Sequence, residues 1–166
     1  MSAEFSAPDD LKPRWTIPKR RRVDGSENLH ISDFVFVKDA DEVLFLKSSD
    51  NYPVKFKRGK LMLPAAIVDF GEKPNEVAKR ILGEQLSGAE LLKPKFLTMQ
   101  SYLGAHWDIV FVFEAQLEGK QKEDLKPKDP FIHTSFQKLE SLPRLEIADD
   151  HLEVIDAFLK EEKDEK

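Results

Sequence analysis

The pattern between residues 59 and 88 constrains the fold more than any other part of the chain, because it predicts a strand, a tight loop and an amphipathic helix in succession. Pro74 suits the first position of the helix, where the missing N–H of proline costs nothing. Ser87-Gly88 suits its end, since glycine commonly follows the last helical turn. Apolar residues recur at helical spacing between these limits: Val77, Ala78, Ile81, Leu82 and Leu86. The sequence therefore predicts a helix with one side packed in the core.

The same helix carries three positions of chemical interest. Positions 81, 84 and 85 are spaced i, i+3 and i+4, so their side chains project to one side of the helix. They hold Ile81, Glu84 and Gln85, which gives one carboxylate among the three positions. Gly83 inside the helix costs about 1 kcal/mol relative to alanine. The helix must therefore be stabilised by its packing.

The residues before and along this helix match a known spacing. Glu72 follows Gly71, Arg80 stands eight positions later, and Glu84 follows Arg80. This pattern resembles the signature of the Nudix family, which reads Gly, five residues, Glu, seven residues, Arg-Glu, an apolar residue, any residue, Glu-Glu, any residue, Gly and an apolar residue. Four positions depart from the signature: Ala66, Ile81, Gln85 and Ser87 replace its first Gly, two of its Glu residues and its second Gly.

The flanks of this segment agree with the resemblance. Residues 30–37 and 43–46 resemble the opening hairpin of the family, and residues 107–115 resemble the long strand that follows its signature. Near the end, Asp149-Asp150 can cap a helix with one apolar face: Leu152, Ile155, Phe158 and Leu159. The resemblance implies an α/β fold for residues 29–160, namely the Nudix-type α/β/α sandwich with a mixed central β-sheet.

The resemblance also implies a chemistry. Nudix enzymes cleave nucleoside diphosphates linked to another group, with the help of Mg²⁺ or Mn²⁺. Mg²⁺ prefers oxygen ligands such as carboxylates and substrate phosphates, and the bound metal activates water. By resemblance, Glu72, Arg80 and Glu84 are the candidate catalytic residues. If a metal binds, Glu84 and Gln85 are the candidate ligands, because Gln85 still offers a carbonyl oxygen.

The family binds its metal with three carboxylates on this helix. Here Ile81 and Gln85 replace two of them, so only the carboxylate of Glu84 is retained. We therefore predict a Nudix domain that is catalytically weak or inactive and that acts by binding a nucleotide, RNA or a protein partner. The alternative is a divalent-metal-dependent hydrolase of a nucleoside diphosphate derivative, in which Mg²⁺ or Mn²⁺ is bound weakly.

Each of these residues also has a purely structural interpretation. Glu72 and Arg80 can brace the loop without any catalysis, and Glu84 can be a solvated surface residue. Ile81 can extend the apolar stripe, which would fill the site with a hydrophobic side chain. Glu114, late in the long strand, is either a further carboxylate of the site or a polar residue at a strand end.

The two ends of the chain differ in composition from the middle. Six positive charges and no acidic residue fall between Lys12 and Arg22, whereas the whole chain has a net charge of -5. We predict a flexible basic arm over residues 1–28 and a charged tail over residues 161–166. The arm contains four consecutive basic residues: Lys19, Arg20, Arg21 and Arg22. Three interpretations of them stay open, namely a nuclear-localisation signal, a contact to the phosphates of a nucleic acid, and a basic segment that is only solvated.

Composition excludes several other classes of protein. The 166 residues contain no cysteine, which excludes disulfide scaffolds and thiolate metal sites. The four histidines show no ligand spacing, so a zinc site has no support. No apolar run approaches the roughly 18 residues of a membrane-spanning helix. We predict a cytoplasmic protein, or a nuclear one in a eukaryote, without membrane partners, and the oligomeric state stays open.

Overall fold

The computed structural model describes residues 29–69, 71–103, 107–118 and 122–165. The predicted basic arm lies outside these residues. The described strands are β1 (Leu29–Asp39), β2 (Glu42–Ser48), β3 (Leu61–Met62), β4 (Ala65–Ile67), β5 (Leu86–Ser87), β6 (Lys95–Leu103), β7 (Trp107–Gln116), β8 (Lys126–Pro127) and β9 (Phe131–Lys138). The described α-helices are α1 (Pro74–Gln85) and α2 (Asp149–Asp164).

Seven of the described strands form one mixed sheet. Its path is β3-β2-β1-β7-β6, with β4 also paired to β1 and β9 to β2. β1 and β7 run parallel, from the Leu29–Trp107 pair to the Lys38–Gln116 pair. The other pairings in this sheet are antiparallel. β5 and β8 form a separate two-stranded sheet.

The central strand β1 shows how the two helices cover the sheet. Val35 and Val37 belong to a core cluster that includes the buried residues of α1. Phe34 and Phe36 belong to a second cluster that includes the buried residues of α2. Successive side chains of a strand point to opposite faces, so α1 and α2 lie on opposite sides of the sheet. The predicted α/β/α sandwich with a mixed central sheet is confirmed.

The helix α1 begins at Pro74, as predicted, and ends at Gln85. The predicted apolar stripe extended to Leu86, one residue beyond the end of the helix. Leu86 and Ser87 instead form β5, which pairs with β8. Gly88 follows with φ of +86°, and a Cβ at this position would lie 2.1 Å from the carbonyl oxygen of Asp124. Glycine is therefore required where the chain leaves β5.

The helix α2 buries the face predicted for it. Ile155 and Phe158 are buried, and Leu152 and Leu159 pack against the same cluster. The helix continues to Asp164, four residues into the segment predicted as a charged tail. Neither α1 nor α2, nor any other helix in the described ranges, is long and apolar enough to span a membrane.

Candidate functional site

A tight turn between β4 and α1 positions the first signature residue. Gly71 has φ of +91°, a backbone conformation that glycine adopts readily and other residues rarely do. The side chain of Glu72 folds back over this turn, and its Oε1 accepts a hydrogen bond from the N–H of Asp69 at 2.9 Å. The N–H of Glu72 donates to the carbonyl of Asp69, also at 2.9 Å. The loop thus holds Glu72 in place before α1 begins.

Arg80 of α1 connects this loop to the helix and to β4. Its Nε donates to Glu72 Oε2 at 3.0 Å, and its Nη2 donates to Glu72 Oε1 at 2.9 Å. Nη2 also donates to the carbonyl of Ile67 at 3.2 Å. The hydrogen bonds between the two side chains lower the pKa of Glu72 and raise the pKa of Arg80. This two-point ion pair fixes the direction of both side chains.

Glu84 lies at the surface of α1, one turn after Arg80. Its Oε1 accepts a hydrogen bond from Arg80 Nη1 at 3.1 Å, and its side chain is 58% exposed. Exposed pairs at this helical spacing contribute little to stability. The structure therefore places the carboxylate of Glu84 beside the guanidinium group of Arg80, which already occupies one of the two carboxylate oxygens.

Gln85 joins the end of α1 to β4. Its Nε2 donates to the carbonyl of Ala65 at 2.8 Å. The orientation of the amide follows from this contact, because the reverse orientation would place Oε1 against the carbonyl oxygen. Oε1 is buried and has no hydrogen-bond partner in the described ranges. The amide N–H thus bridges α1 and β4 directly, which a carboxylate could do only with a proton, a water molecule or a cation between its oxygen and the carbonyl.

Ile81 is fully buried on the inner side of α1. Its exposed fraction is 0%, and it belongs to the core cluster that contains Val35, Val77 and Leu82. Ile81 therefore extends the apolar stripe, which confirms the structural interpretation of this residue. No polar atom is available at the position where the signature has a glutamate.

These contacts decide whether the signature residues fit a divalent cation. Mg²⁺ requires several oxygen ligands in near-octahedral geometry. Position 81 offers none, one oxygen of Glu84 is bonded to a cationic side chain, and Gln85 turns its N–H toward the carbonyl of Ala65 in β4. In the part of the chain that the structure describes, no three acidic or histidine side chains are grouped closely enough to hold a metal ion. As placed, the side chains do not fit the metal site that the resemblance implies.

Asp33 of β1 is a buried carboxylate that the sequence interpretation missed. It pairs with Ala66 of β4 and with Phe111 of β7, and its exposed fraction is 0%. Neither carboxylate oxygen has a hydrogen-bond partner among the described residues. Burial raises the pKa of Asp33 to about 7, while the charge of Arg80 lowers it and the charge of Glu72 raises it. The sequence does contain a signal for this residue: Asp33 is the one acidic residue among positions 33, 35 and 37, which share a face of the predicted strand, and the other two are valines.

Glu114, the other candidate carboxylate, lies away from the signature residues. It pairs with Phe36 across β1 and β7, and Phe36 packs in the cluster under α2. Its Oε1 lies 3.1 Å from Lys38 Nζ. The structure therefore places Glu114 in an ion pair on the side of the sheet opposite α1.

A cavity of about 320 Å³ lies between the sheet and the first turns of α2. Its wall includes both alanines that follow Leu63-Pro64, so the cavity and the signature segment share β4. Other lining residues come from β1, β7 and α2: Ser32, Phe34, Val110, His151 and Val154. The cavity is the second element of the candidate site, next to the signature residues.

His151 of α2 is the polar group buried in the wall of this cavity. It is 2% exposed, and burial lowers its pKa to about 4, so the ring is neutral at pH 7. Its Nδ1 accepts a hydrogen bond from the N–H of Leu63 at 2.9 Å. A neutral imidazole has one donor and one acceptor nitrogen, so the proton is on Nε2. Sequence reasoning missed this residue because only the fold brings it to Leu63.

Similar folds are found among solved structures. The MutT protein of Methanosarcina mazei Go1 is 22% identical over 81% of this chain and 96% of that chain, with a TM-score of 0.62. The Nudix domain of Shewanella oneidensis NrtR, in complex with ADP ribose, is 16% identical over 80% and 86%, with a TM-score of 0.55. The chain therefore has the fold of the Nudix hydrolases.

A third similar structure carries a metal as well as a nucleotide. It is the bifunctional NMN adenylyltransferase/ADP ribose pyrophosphatase of Francisella tularensis, in complex with AMP and a Mn ion. It is 13% identical over 89% of this chain and 46% of that chain, with a TM-score of 0.59. No protein-family model matches the sequence, and no curated protein matches it. Function must therefore be argued from the site, since one fold hosts many activities.

Proposed function

We propose that the chain is a Nudix-fold domain that binds a nucleotide and hydrolyses it weakly or not at all. The observation that carries this proposal is the arrangement of α1. Ile81 is buried, Glu84 is bonded to Arg80, and Gln85 is bonded to β4. The fold nevertheless keeps a cavity beside β4. Two similar folds hold ADP ribose and AMP, which supports a nucleotide as the ligand.

The binding proposal predicts saturable binding of ADP-ribose without a divalent cation. Titration calorimetry with Mg²⁺ and with EDTA should give the same dissociation constant, because the side chains at positions 81, 84 and 85 do not offer a divalent cation the oxygen ligands it needs. Ser32→Leu should weaken binding by about tenfold, or ~1.4 kcal/mol, because Ser32 lines the cavity. Ser141→Leu, at an exposed position outside the cavity, should leave binding unchanged. Binding that requires Mg²⁺ would contradict the proposal.

The alternative is a metal-dependent hydrolase of a nucleoside diphosphate derivative, and one observation favours it. The pair of Glu72 and Arg80 is formed as an active signature would require. In that case Glu84 and Gln85 would hold Mg²⁺ or Mn²⁺, which would supply a Lewis acid at the phosphates. Turnover of ADP-ribose that needs Mg²⁺ or Mn²⁺ and disappears in Glu84→Gln would establish this alternative.

The basic arm offers a contact to the ligand in addition to the cavity. Its positive charges suit a ligand with several phosphates, such as RNA. β1 begins at Leu29, paired with Trp107, and the next residue, His30, lines the cavity. Arg22 is seven positions before Leu29, so an extended chain could span roughly 23 Å from the strand. We therefore propose that residues 19–22 contact the phosphates of an RNA bound at this edge. If neither ADP-ribose nor RNA binds, a protein partner is the remaining proposal to test.

Removal of residues 1–28 should weaken the binding of single-stranded RNA and reduce its dependence on salt. Four phosphate contacts would make the slope of log K against log salt shallower by about 3. Fluorescence anisotropy across a salt series measures this slope. Replacement of Lys160 and Lys163, two lysines of α2, by glutamine is the matched control. An unchanged slope after deletion would show that the arm does not contact RNA.

A further inference from the structure

The main sheet ends at β6, whose outer side has no neighbouring strand in the described ranges. The N–H of Val35 in β1 donates to the carbonyl of Pro64, on the side away from β7. Backbone groups of a strand alternate in direction, and the register of β1 with β7 and of β7 with β6 carries this alternation to the end of the sheet. We call the resulting row of outward N–H and C=O groups the free edge of β6, and it comprises Met99, Ser101 and Leu103. Such a row is a template for a further strand.

Near the free edge, the face of the sheet that carries α1 is apolar and exposed. Met99 is 53% exposed, Leu103 is 87% exposed and Trp107 of β7 is 45% exposed. They share this face, because Met99 pairs with Phe111 and Leu103 pairs with Trp107, and Phe111 packs against the cluster under α1. The indole Nε1 of Trp107 donates to Ser101 Oγ at 2.9 Å, so the ring is held against β6. An exposed apolar patch of this kind indicates a surface that another segment covers.

The opposite face of the same edge is acidic. The last turns of α2 lie over β6, where the hydroxyl of Thr98 donates to Glu161 Oε1 at 2.9 Å. Among the described residues, Lys38 is the only cationic side chain in the groove between them, and its Nζ lies 3.1 Å from Glu114 Oε1. The two lysines in the last turns of α2 lie outside the groove. Four carboxylates line it: Glu114, Glu161, Glu162 and Glu165. This face therefore favours a positively charged neighbour.

A segment of the basic arm has a pattern that matches both faces. Residues 11–17 read Leu-Lys-Pro-Arg-Trp-Thr-Ile, in which apolar and polar residues alternate strictly. Strict alternation is typical of a strand with one apolar side. The polar side of this segment carries the positive charges of Lys12 and Arg14. The apolar side consists of Leu11, Pro13, Trp15 and Ile17.

We propose that residues 11–17 bind the free edge of β6 as an added strand that runs parallel to it. Their apolar side chains extend the exposed patch on the α1 face, and Lys12 and Arg14 face the acidic groove on the α2 face. Pro13 selects the parallel direction. In a parallel pair, a residue opposite Met99 or Ser101 directs its backbone groups away from β6, so the missing N–H of Pro13 costs no bond to the edge. In an antiparallel pair, the same apolar side would require that N–H.

The chain between the added strand and β1 has the required length. Residues 18–28 lead to Leu29, which pairs with Trp107 at the end of the sheet where Leu103 lies. The added strand lies three strand spacings from β1, roughly 14 Å, and residues 18–28 can extend over about 36 Å. This connection contains the basic residues 19–22, so their proposed contact with RNA is a separate matter. The tether gives the segment a high effective concentration at the edge.

A second copy of the chain suits the same edge less well. Two copies of β6 paired about a two-fold axis would place their α2 faces on the same side of a continuous sheet. The acidic grooves of the two copies would then lie next to each other, and like charges across such a pairing are destabilising. The segment of residues 11–17 brings positive charge to that face instead.

Tryptophan fluorescence tests the proposal, because the chain has two tryptophans, Trp15 and Trp107. In the full chain with Trp107→Phe, only Trp15 emits. Acrylamide should quench this emission several-fold less in native buffer than in urea, because the added strand shields the ring against the sheet. Equal quenching in native buffer and in urea would show that the ring is uncovered and would overturn the proposal.

Two variants at one position separate strand pairing from apolar contact. Met99→Pro removes an outward N–H that β7 does not use, whereas Met99→Ala removes the same side chain and keeps the N–H. In the Trp107→Phe background, Met99→Pro should raise the quenching of Trp15 well above the value for Met99→Ala. Equal quenching in the two variants would show that no backbone pairing holds the segment, and the added strand would be wrong.

A charge reversal tests the contact with the acidic groove. Lys12→Glu combined with Arg14→Glu should expose Trp15 to acrylamide, whereas Lys19→Glu combined with Arg20→Glu makes the same charge change in the connection and should leave Trp15 shielded. Thermal melting verifies that each variant is folded. Equal effects of the two double variants would contradict the placement of residues 12 and 14 at the groove.

The concentration of the protein distinguishes the two occupants of the edge. An added strand from the same chain shields Trp15 equally at all protein concentrations, and gel filtration should give the same elution volume for the unaltered chain and for Met99→Pro. Shielding that appears only as the concentration rises, together with a dimer that Met99→Pro dissociates, would show that a second copy covers the edge and would overturn the proposal.

Discussion

Replacing Ile81 by glutamate is expected to destabilise the protein rather than to restore a divalent-cation site. Ile81 has an exposed fraction of 0% and packs among apolar side chains of α1 and β1. A carboxylate there loses its hydration without gaining a partner. The free energy of unfolding should fall by about 4 kcal/mol or more, which is a large part of the stability of an ordinary domain. Urea denaturation followed by circular dichroism measures this loss.

Three control variants isolate the buried charge at position 81. Ile81→Leu keeps volume and polarity and should cost less than about 1.5 kcal/mol. Lys79→Glu introduces a carboxylate at an exposed position of α1 and should change stability by about 0.5 kcal/mol or less. Gln85→Glu places a carboxylate against the Ala65 carbonyl and should cost about 1–3 kcal/mol. Wild-type stability of Ile81→Glu would contradict the placement of this residue in the core.

The second large effect is expected at Asp33, as a dependence of stability on pH. Burial raises the pKa of Asp33 from 3.8 to about 7, so the folded state binds a proton that the unfolded state has lost between these pH values. Stability contributed by this group is therefore present at low pH and is lost as the pH rises toward 7. The total loss is about 4 kcal/mol. Asp33→Asn keeps the shape of the side chain and removes the titration.

The measurement is a set of urea denaturation curves from pH 4 to pH 8. The stability of the wild-type protein minus that of Asp33→Asn should fall by about 4 kcal/mol across this range. Asp41→Asn, at an exposed carboxylate, is the matched control for the substitution itself. If the wild-type and Asp33→Asn curves stay parallel, the carboxylate of Asp33 is ionised in the folded protein at neutral pH.

The titration of His151 changes stability with pH in the direction opposite to that of Asp33. For this reason the wild-type protein is compared with Asp33→Asn, in which His151 is unchanged. Its pKa falls from 6.5 to about 4 on folding, so the unfolded state binds the extra proton between these values. Stability contributed by His151 therefore rises as the pH increases through that range. Between pH 4 and 6.5 the contributions of Asp33 and His151 to the pH dependence of stability partly cancel. The stability of the wild-type protein alone would therefore conceal both contributions.

The sequence predicted the fold from features that are local in the chain. The apolar stripe of α1 and the start at Pro74 are read from helical spacing, and the structure confirms both. The opening hairpin and the long strand β7 were predicted from the family resemblance, and the structure forms both. The mixed sheet came from the family resemblance, and its parallel pairing of β1 with β7 joins residues far apart in the chain.

The candidate site was predictable only in part, because much of it depends on contacts between distant segments. The family resemblance implied that Arg80 braces the loop through Glu72, and the structure forms that ion pair. Asp33 became notable only once its neighbours on β4 and β7 were known. The tautomer of His151 depends on Leu63, and the two positions are 88 residues apart. Spacing rules cannot find such pairs.

The short strand β4 lies between the two faces of the sheet and contributes one alanine to each. Ala66 packs toward the cluster under α1, whereas Ala65 packs toward the cluster under α2. A substitution at Ile81, on the α1 side, therefore leaves the residues of the opposite wall in place, whereas one at Gln85 acts on β4 through its hydrogen bond to the carbonyl of Ala65. If the chain has the proposed function, its lineage has lost catalysis on the α1 face while selection preserved ligand recognition on the α2 face.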